Sequence, residues 1–148
     1  MSREGVKAHQ SSPEEVARLF AVYRRHVCDA GISGLSIDGE YCLLFDAGIA
    51  LAKVVVHADG WRVTGSHQSR ELLLRLCSSI LGREVDGPIA VLEVGRRKRN
   101  RAVYDEVGAL SRHEVAALRR ALTDFEAIVH DWLARQHPDL LPPELPLG

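Results

Sequence analysis

The sequence predicts an all-α protein, an antiparallel up-down bundle of four to five helices. Three observations predict it. Serine-led capping signals open two helices, at Ser12-Pro13-Glu14-Glu15 and Ser111-Arg112-His113-Glu114. Apolar residues recur at steps of 3 and 4, the repeat that lines one face of a helix. No alternating apolar-polar run reaches a useful strand length. The 148 residues, 46% hydrophobic and 26% charged, fit one domain that buries roughly 70% of its unfolded surface. We therefore expect a single helical domain over 1–148, with a flexible tail at 1–11 and an extended one at 138–148.

Each element follows from local signals. In the first helix Ser12 caps, Pro13 suits the first helical position and Glu15 closes a capping box. The helix runs to about Ala30, burying Val16, Leu19, Phe20, Tyr23 and Val27 before Gly31 and Gly34 end it. The second, about Asp38 to Ala58, carries Tyr41, Leu44, Phe45, Gly48, Leu51, Ala52 and Val55 on one face. Its only polar stripe is Asp46, Lys53 and His57. Such a helix is buried on more than one side, as the centre of a bundle and as part of a subunit interface. A loop, Asp59 to Gly65, leads to a third helix from Ser66 to about Leu81, with Leu72, Leu73, Leu76, Cys77 and Ile80 inward. Asp86-Gly87-Pro88 starts a fourth that ends by Gly108. The fifth places Val115, Leu118, Leu122, Phe125, Val129 and Trp132 on one stripe and stops at His137-Pro138.

Composition excludes several functions. Cys28, Cys42 and Cys77 stand singly with no C-x-x-C, which predicts small core residues in a reducing compartment and no disulfide frame. The seven histidines form no His-Glu-x-x-His and no pair four apart, so no metal site is expected, and no cofactor. Glycine-rich phosphate loops and a G-x-S-x-G are absent. The N-terminus lacks an apolar signal-peptide core, and Asp46 and Lys53 break the longest apolar run. A cytoplasmic protein with no membrane span is the expectation.

The chemistry concentrates in Arg96–Asp105, R-R-K-R-N-R-A-V-Y-D. Five of its first six residues are cationic in a chain of formal net charge −1. Ile89, Leu92, Arg96, Arg99 and Val103 continue the inward stripe, so Arg96 and Arg99 face the interior and need a carboxylate, a phosphate or a partner chain. Asn100 and Tyr104 are i, i+4 neighbours on the adjacent face. Two readings stay open. Arg99 and Asn100 grip a phosphate with Tyr104 beside it, or Arg99 pairs with an internal carboxylate such as Asp46 or Asp105.

The order of central apolar helix, loop, leucine-rich helix, R-N-x-x-x-Y-D, capped helix and closing His-Pro resembles the HEPN superfamily over roughly Asp38 to Pro138. The resemblance implies a small bundle that dimerises with its motifs facing each other. It implies either a metal-independent endoribonuclease of toxin–antitoxin and defence systems or an inactive relative that binds RNA, a nucleotide or a partner protein. Arg99 and Asn100 match the family's R-N-x-x-x-H, and Tyr104 stands at its histidine. Tyrosine ionises near pH 10, against about 6.5 for histidine, and bringing it to 7 requires roughly 4 kcal/mol of phenolate stabilisation. Tyr104 is therefore cast as a hydrogen-bond donor or stacking group. The resemblance thus implies a homodimer that binds RNA or a nucleotide in a basic interface groove, with an antitoxin-type partner. The alternative is a ribonuclease using Arg99, Asn100 and Tyr104. Arg96, Arg97, Lys98 and Arg101 supply the electrostatic track, and His67 is the histidine that could enter from elsewhere. His113, in the first turn of the last helix, reads as a surface residue.

Overall fold

The computed structural model describes residues 5–65, 69–104 and 110–143, with the backbone alone at 101–104. Its chain order is β1 (Val6–Ala8), α1 (Pro13–Ala30), α2 (Ile37–Ala58), β2 (Trp61–Val63), α3 (Ser69–Leu81), α4 (Asp86–Tyr104) and α5 (Arg112–Gln136). Short 3₁₀ turns at Gly82–Val85 and Pro138–Leu140 precede α4 and follow α5. The protein is mostly helical, as the periodicity predicts.

α2 is the hub. It packs against α1, α3, α4 and α5, and Leu44, Phe45, Leu51, Val54, Val55 and Val56 are fully buried. Its apolar circumference is thus covered largely within the chain, as the central-helix reading expects. By length and composition α2 could cross a membrane despite Asp46 and Lys53, yet 72% of its most apolar window is buried inside the protein. The polar stripe stays nearer the surface: Lys53 is exposed, while Asp46 and His57 are half-buried.

Two glycines bring α4 close to α2. A Cβ on Gly48 would stand 2.5 Å from Leu92 Cδ2, and one on Gly95 would stand 3.0 Å from the Tyr41 hydroxyl. With no side chain at either crossing point the helices approach closely, and the next inward turn of α4, at Arg99, is carried over Asp46. α5 buries all six residues of its predicted stripe. The buried carboxylate of Glu40 ties it to the start of α2, accepting from Arg112 Nη1 at 2.8 Å and Arg119 Nη2 at 3.1 Å.

Several expectations are corrected. The N-terminal segment is not all loose: β1 pairs antiparallel with β2, Val6 opposite Val63 and Ala8 opposite Trp61. Hydrogen bonds from Thr64 N–H to the Gly5 carbonyl and from His9 N–H to the Gly60 carbonyl extend the ladder at both ends. Three-residue strands are too short to show an alternation. Gly60, at φ +101°, makes the turn that brings β2 back from α2. α3 departs from the predicted face at one position: Leu73 and Cys77 are buried and Leu76 and Ile80 pack half-buried against the core as expected, but Leu74 is buried where Leu72 is only half-buried. Cys28 is exposed rather than a core residue; all three cysteines are free thiols. At α1 the box closes on one side only. The Glu15 N–H donates to Ser12 Oγ, but the Glu15 carboxylate is engaged by His9 and Ser11. At α5 both halves form.

Candidate functional site

Arg99 turns inward. Its Nε donates to Asp46 Oδ1 at 3.2 Å and its Nη2 to Oδ2 at 3.4 Å, a two-point grip across the α2–α4 crossing. Arg70, at the start of α3, brings a second guanidinium to within 3.9 Å of Asp46 Oδ1, its Cζ 5.9 Å from the Phe45 ring centroid. One carboxylate therefore stands between two guanidiniums. The same charge acts on the Cys42 thiol, one turn away: burial pushes it up most, Asp46 and Asp38 add to that, and Arg99 opposes.

The neighbouring cations are distributed around α4. Arg96 lies 3.8 Å from both Glu71 of α3 and Glu93, and its buried Nε has no hydrogen-bond partner among the described residues. Lys98 pairs with Glu114 of α5. Arg97 and Asn100 lie on the exposed side of α4, and Arg97 makes no ion pair among the described residues. Arg99 and Asn100, adjacent in sequence, are thus on different faces, about 100° apart as successive helical residues must be. Asp46 satisfies Arg99, the internal-carboxylate reading. The backbone of Arg101 and Tyr104 continues α4, but their side chains, and the whole of His67, lie outside the described residues. His113 is exposed in the first turn of α5.

Ligand-type residues do assemble elsewhere. His9, Glu15 and His57, half-buried, bring one donor atom each to within 4.8 Å of the others. His9 Nε2 is 2.9 Å from both carboxylate oxygens of Glu15, and Ser11 Oγ donates to Oε1 at 2.7 Å. His57 Nδ1 is 3.4 Å from Oε1 but lacks the alignment of a hydrogen bond. Burial pushes the Glu15 carboxyl up, but the Ser11 and His9 hydrogen bonds and both imidazoles outweigh it and leave it below its ordinary value. Burial holds the His57 imidazole below its ordinary value against the pull of Glu15. No spacing rule finds this cluster, because its members come from the end of the β1 segment, the first turn of α1 and the last turn of α2. The one sequence cue was His57 on the thin polar stripe of an otherwise apolar helix.

Fold and site together define a mostly helical protein with an arginine-rich helix packed on a central apolar one. No protein-family model matches the chain, and neither a curated protein nor a solved structure matches it.

Proposed function

We propose that this is a HEPN-like, non-catalytic module that binds RNA or a nucleotide through its phosphates along α3 and α4. The observation that carries the reading is Asp46, a single carboxylate shared by Arg99 and Arg70. Asp46 neutralises Arg99, and the positive charge left over on Arg70 suits a phosphate oxygen. Exposed Arg97 extends the positive character along α4, while the charge of Arg96 is offset by Glu71 and Glu93. The commitment of Arg99 to Asp46 favours binding over cleavage, since the guanidinium meant to stabilise a phosphorane is already neutralised. The homodimer and the antitoxin-type partner implied by the family resemblance belong to this proposal. With α2 largely covered, any dimer contact uses another surface, and Val94, exposed on α4 beside the basic turn, is the apolar residue placed for it.

Fluorescence anisotropy with a labelled single-stranded RNA tests the reading. Wild type should bind, Arg70→Ala combined with Arg97→Ala should lose most of the affinity, and the RNA should remain intact in EDTA. Undiminished binding by the double variant refutes the assignment. RNA cut to 2′,3′-cyclic phosphate ends, and spared by Arg99→Ala, would establish the ribonuclease alternative.

A further inference from the structure

The His9–Glu15–His57 cluster is a second polar assembly, separate from the arginine site. His57 lies eleven residues along α2 from Asp46, about 16 Å at 1.5 Å per residue. We propose that it binds a zinc ion, with His9 Nε2, Glu15 and His57 Nδ1 as the three protein ligands.

The donor set and its spacing carry the inference. Two imidazole nitrogens and a carboxylate select zinc over magnesium or calcium, which take oxygen ligands. A tetrahedral zinc with ligands at about 2.0–2.2 Å separates them by roughly 3.3–3.6 Å. The His57–Glu15 spacing of 3.4 Å falls within that range, the His9–Glu15 spacing of 2.9 Å is shorter, and all three donor atoms lie within 4.8 Å of one another, so side-chain rotations bring them to a common metal. His57 Nδ1 is buried, 3.4 Å from the carboxylate and without a hydrogen bond, the kind of lone pair that metal coordination satisfies. The two imidazole rings pack 4.7 Å apart at 50° to each other, which keeps both histidines beside the Glu15 carboxylate.

The backbone holds the ligands from three directions. The His9 N–H to Gly60 carbonyl bond, 2.8 Å, clips the segment after β1 to the turn that follows α2. Glu15 is fixed in the first turn of α1 by its N–H bond to Ser12 Oγ, and its carboxylate is oriented by Ser11 Oγ. That serine is the outer-shell partner that aims a metal-ligating carboxylate. Three protein ligands leave a fourth tetrahedral position for water or another small donor.

The test uses the full chain, stripped with chelator and titrated with zinc against a chromophoric chelator, and with cobalt for its visible spectrum. One zinc per chain is expected, with a tetrahedral cobalt spectrum and a Tm that rises with zinc concentration. Ser11→Ala should weaken zinc binding about 10- to 100-fold, and His57→Ala and Glu15→Gln by more. Cys28→Ser, which removes the exposed thiol, should leave it unchanged. Should a histidine variant not fold, Glu15→Gln and the wild-type cobalt spectrum decide. Absence of a tetrahedral spectrum in wild type, affinity unchanged in Glu15→Gln, or binding abolished by Cys28→Ser overturns the assignment. RNA affinity that is the same with and without chelator separates this site from the arginine site.

Discussion

Removing Asp46 and Arg99 singly and together measures how firmly the arginine is held. The pair makes two contacts, at 3.2 and 3.4 Å, with the side chains 17% (Arg99) and 27% (Asp46) exposed. Two unit charges about 4 Å apart interact by roughly 4 kcal/mol at an effective dielectric near 20. Desolvation of both groups opposes that, and Arg70, 3.9 Å from Asp46 Oδ1, partly replaces Arg99 once it is gone. The net coupling should therefore be about 1–2 kcal/mol, above the 0.2–1 kcal/mol of exposed pairs. It should fall below the 3–5 kcal/mol of breaking a fully buried pair. Asp46→Ala should be the more destabilising single change, about 2–3 kcal/mol, because it leaves two guanidiniums facing each other without a counter-charge. Arg99→Met, which keeps the aliphatic stem, should be milder. Urea unfolding followed by Trp61 and Trp132 fluorescence gives the cycle. A coupling within about 0.3 kcal/mol of zero would mean the two effects simply add and Arg99 is not held by Asp46.

Three further outcomes follow from the packing and the titrating groups. Gly48→Ala gains up to about 1 kcal/mol in helix propensity, but its Cβ meets Leu92 Cδ2 at 2.5 Å in a fully buried contact. Overpacking of about 1–3 kcal/mol should win and lower Tm; a raised Tm would contradict the tight crossing. His130 is held below its ordinary pKa by burial, with Glu126 opposing and Arg24 assisting. The folded state therefore binds fewer protons than the unfolded one, and stability should fall as pH drops below about 6.5. His130→Leu should flatten that part of the stability–pH curve, and an unchanged slope assigns it to other groups. Under native conditions a thiol reagent should label Cys28 fast. Cys77, fully buried with its thiol pushed up to about 12, should react only on unfolding. Rapid native labelling of both would place Cys77 outside the core.

Legibility in the sequence tracked the length and regularity of each signal. α5 was readable residue by residue because its stripe repeats over five steps and both caps are explicit. α2 was recognisable as the central helix from its single polar stripe, and that stripe supplies both Asp46 and His57. The Leu72–Leu73–Leu74 run left α3 ambiguous, since three consecutive leucines fit faces rotated by one residue; the structure selects Leu73 and Leu74. The β1–β2 pair leaves no signal in the sequence, because three residues cannot display a period of two. The inward turn of Arg99 followed from helical spacing, whereas the convergence of Arg70 did not, as nothing local relates α3 to α2. His9, Glu15 and His57 are joined only by tertiary folding, so a search for local ligand spacing passes over them.

The most direct test of phosphate recognition at Asp46–Arg99–Arg70 is the salt dependence of single-stranded RNA affinity, in wild type and in Arg70→Ala. Each phosphate neutralised should contribute about −0.7 to the slope of log affinity against log salt. The account predicts a negative wild-type slope that becomes shallower by roughly that amount in Arg70→Ala. A flat wild-type slope, or the same slope in both proteins, would contradict it.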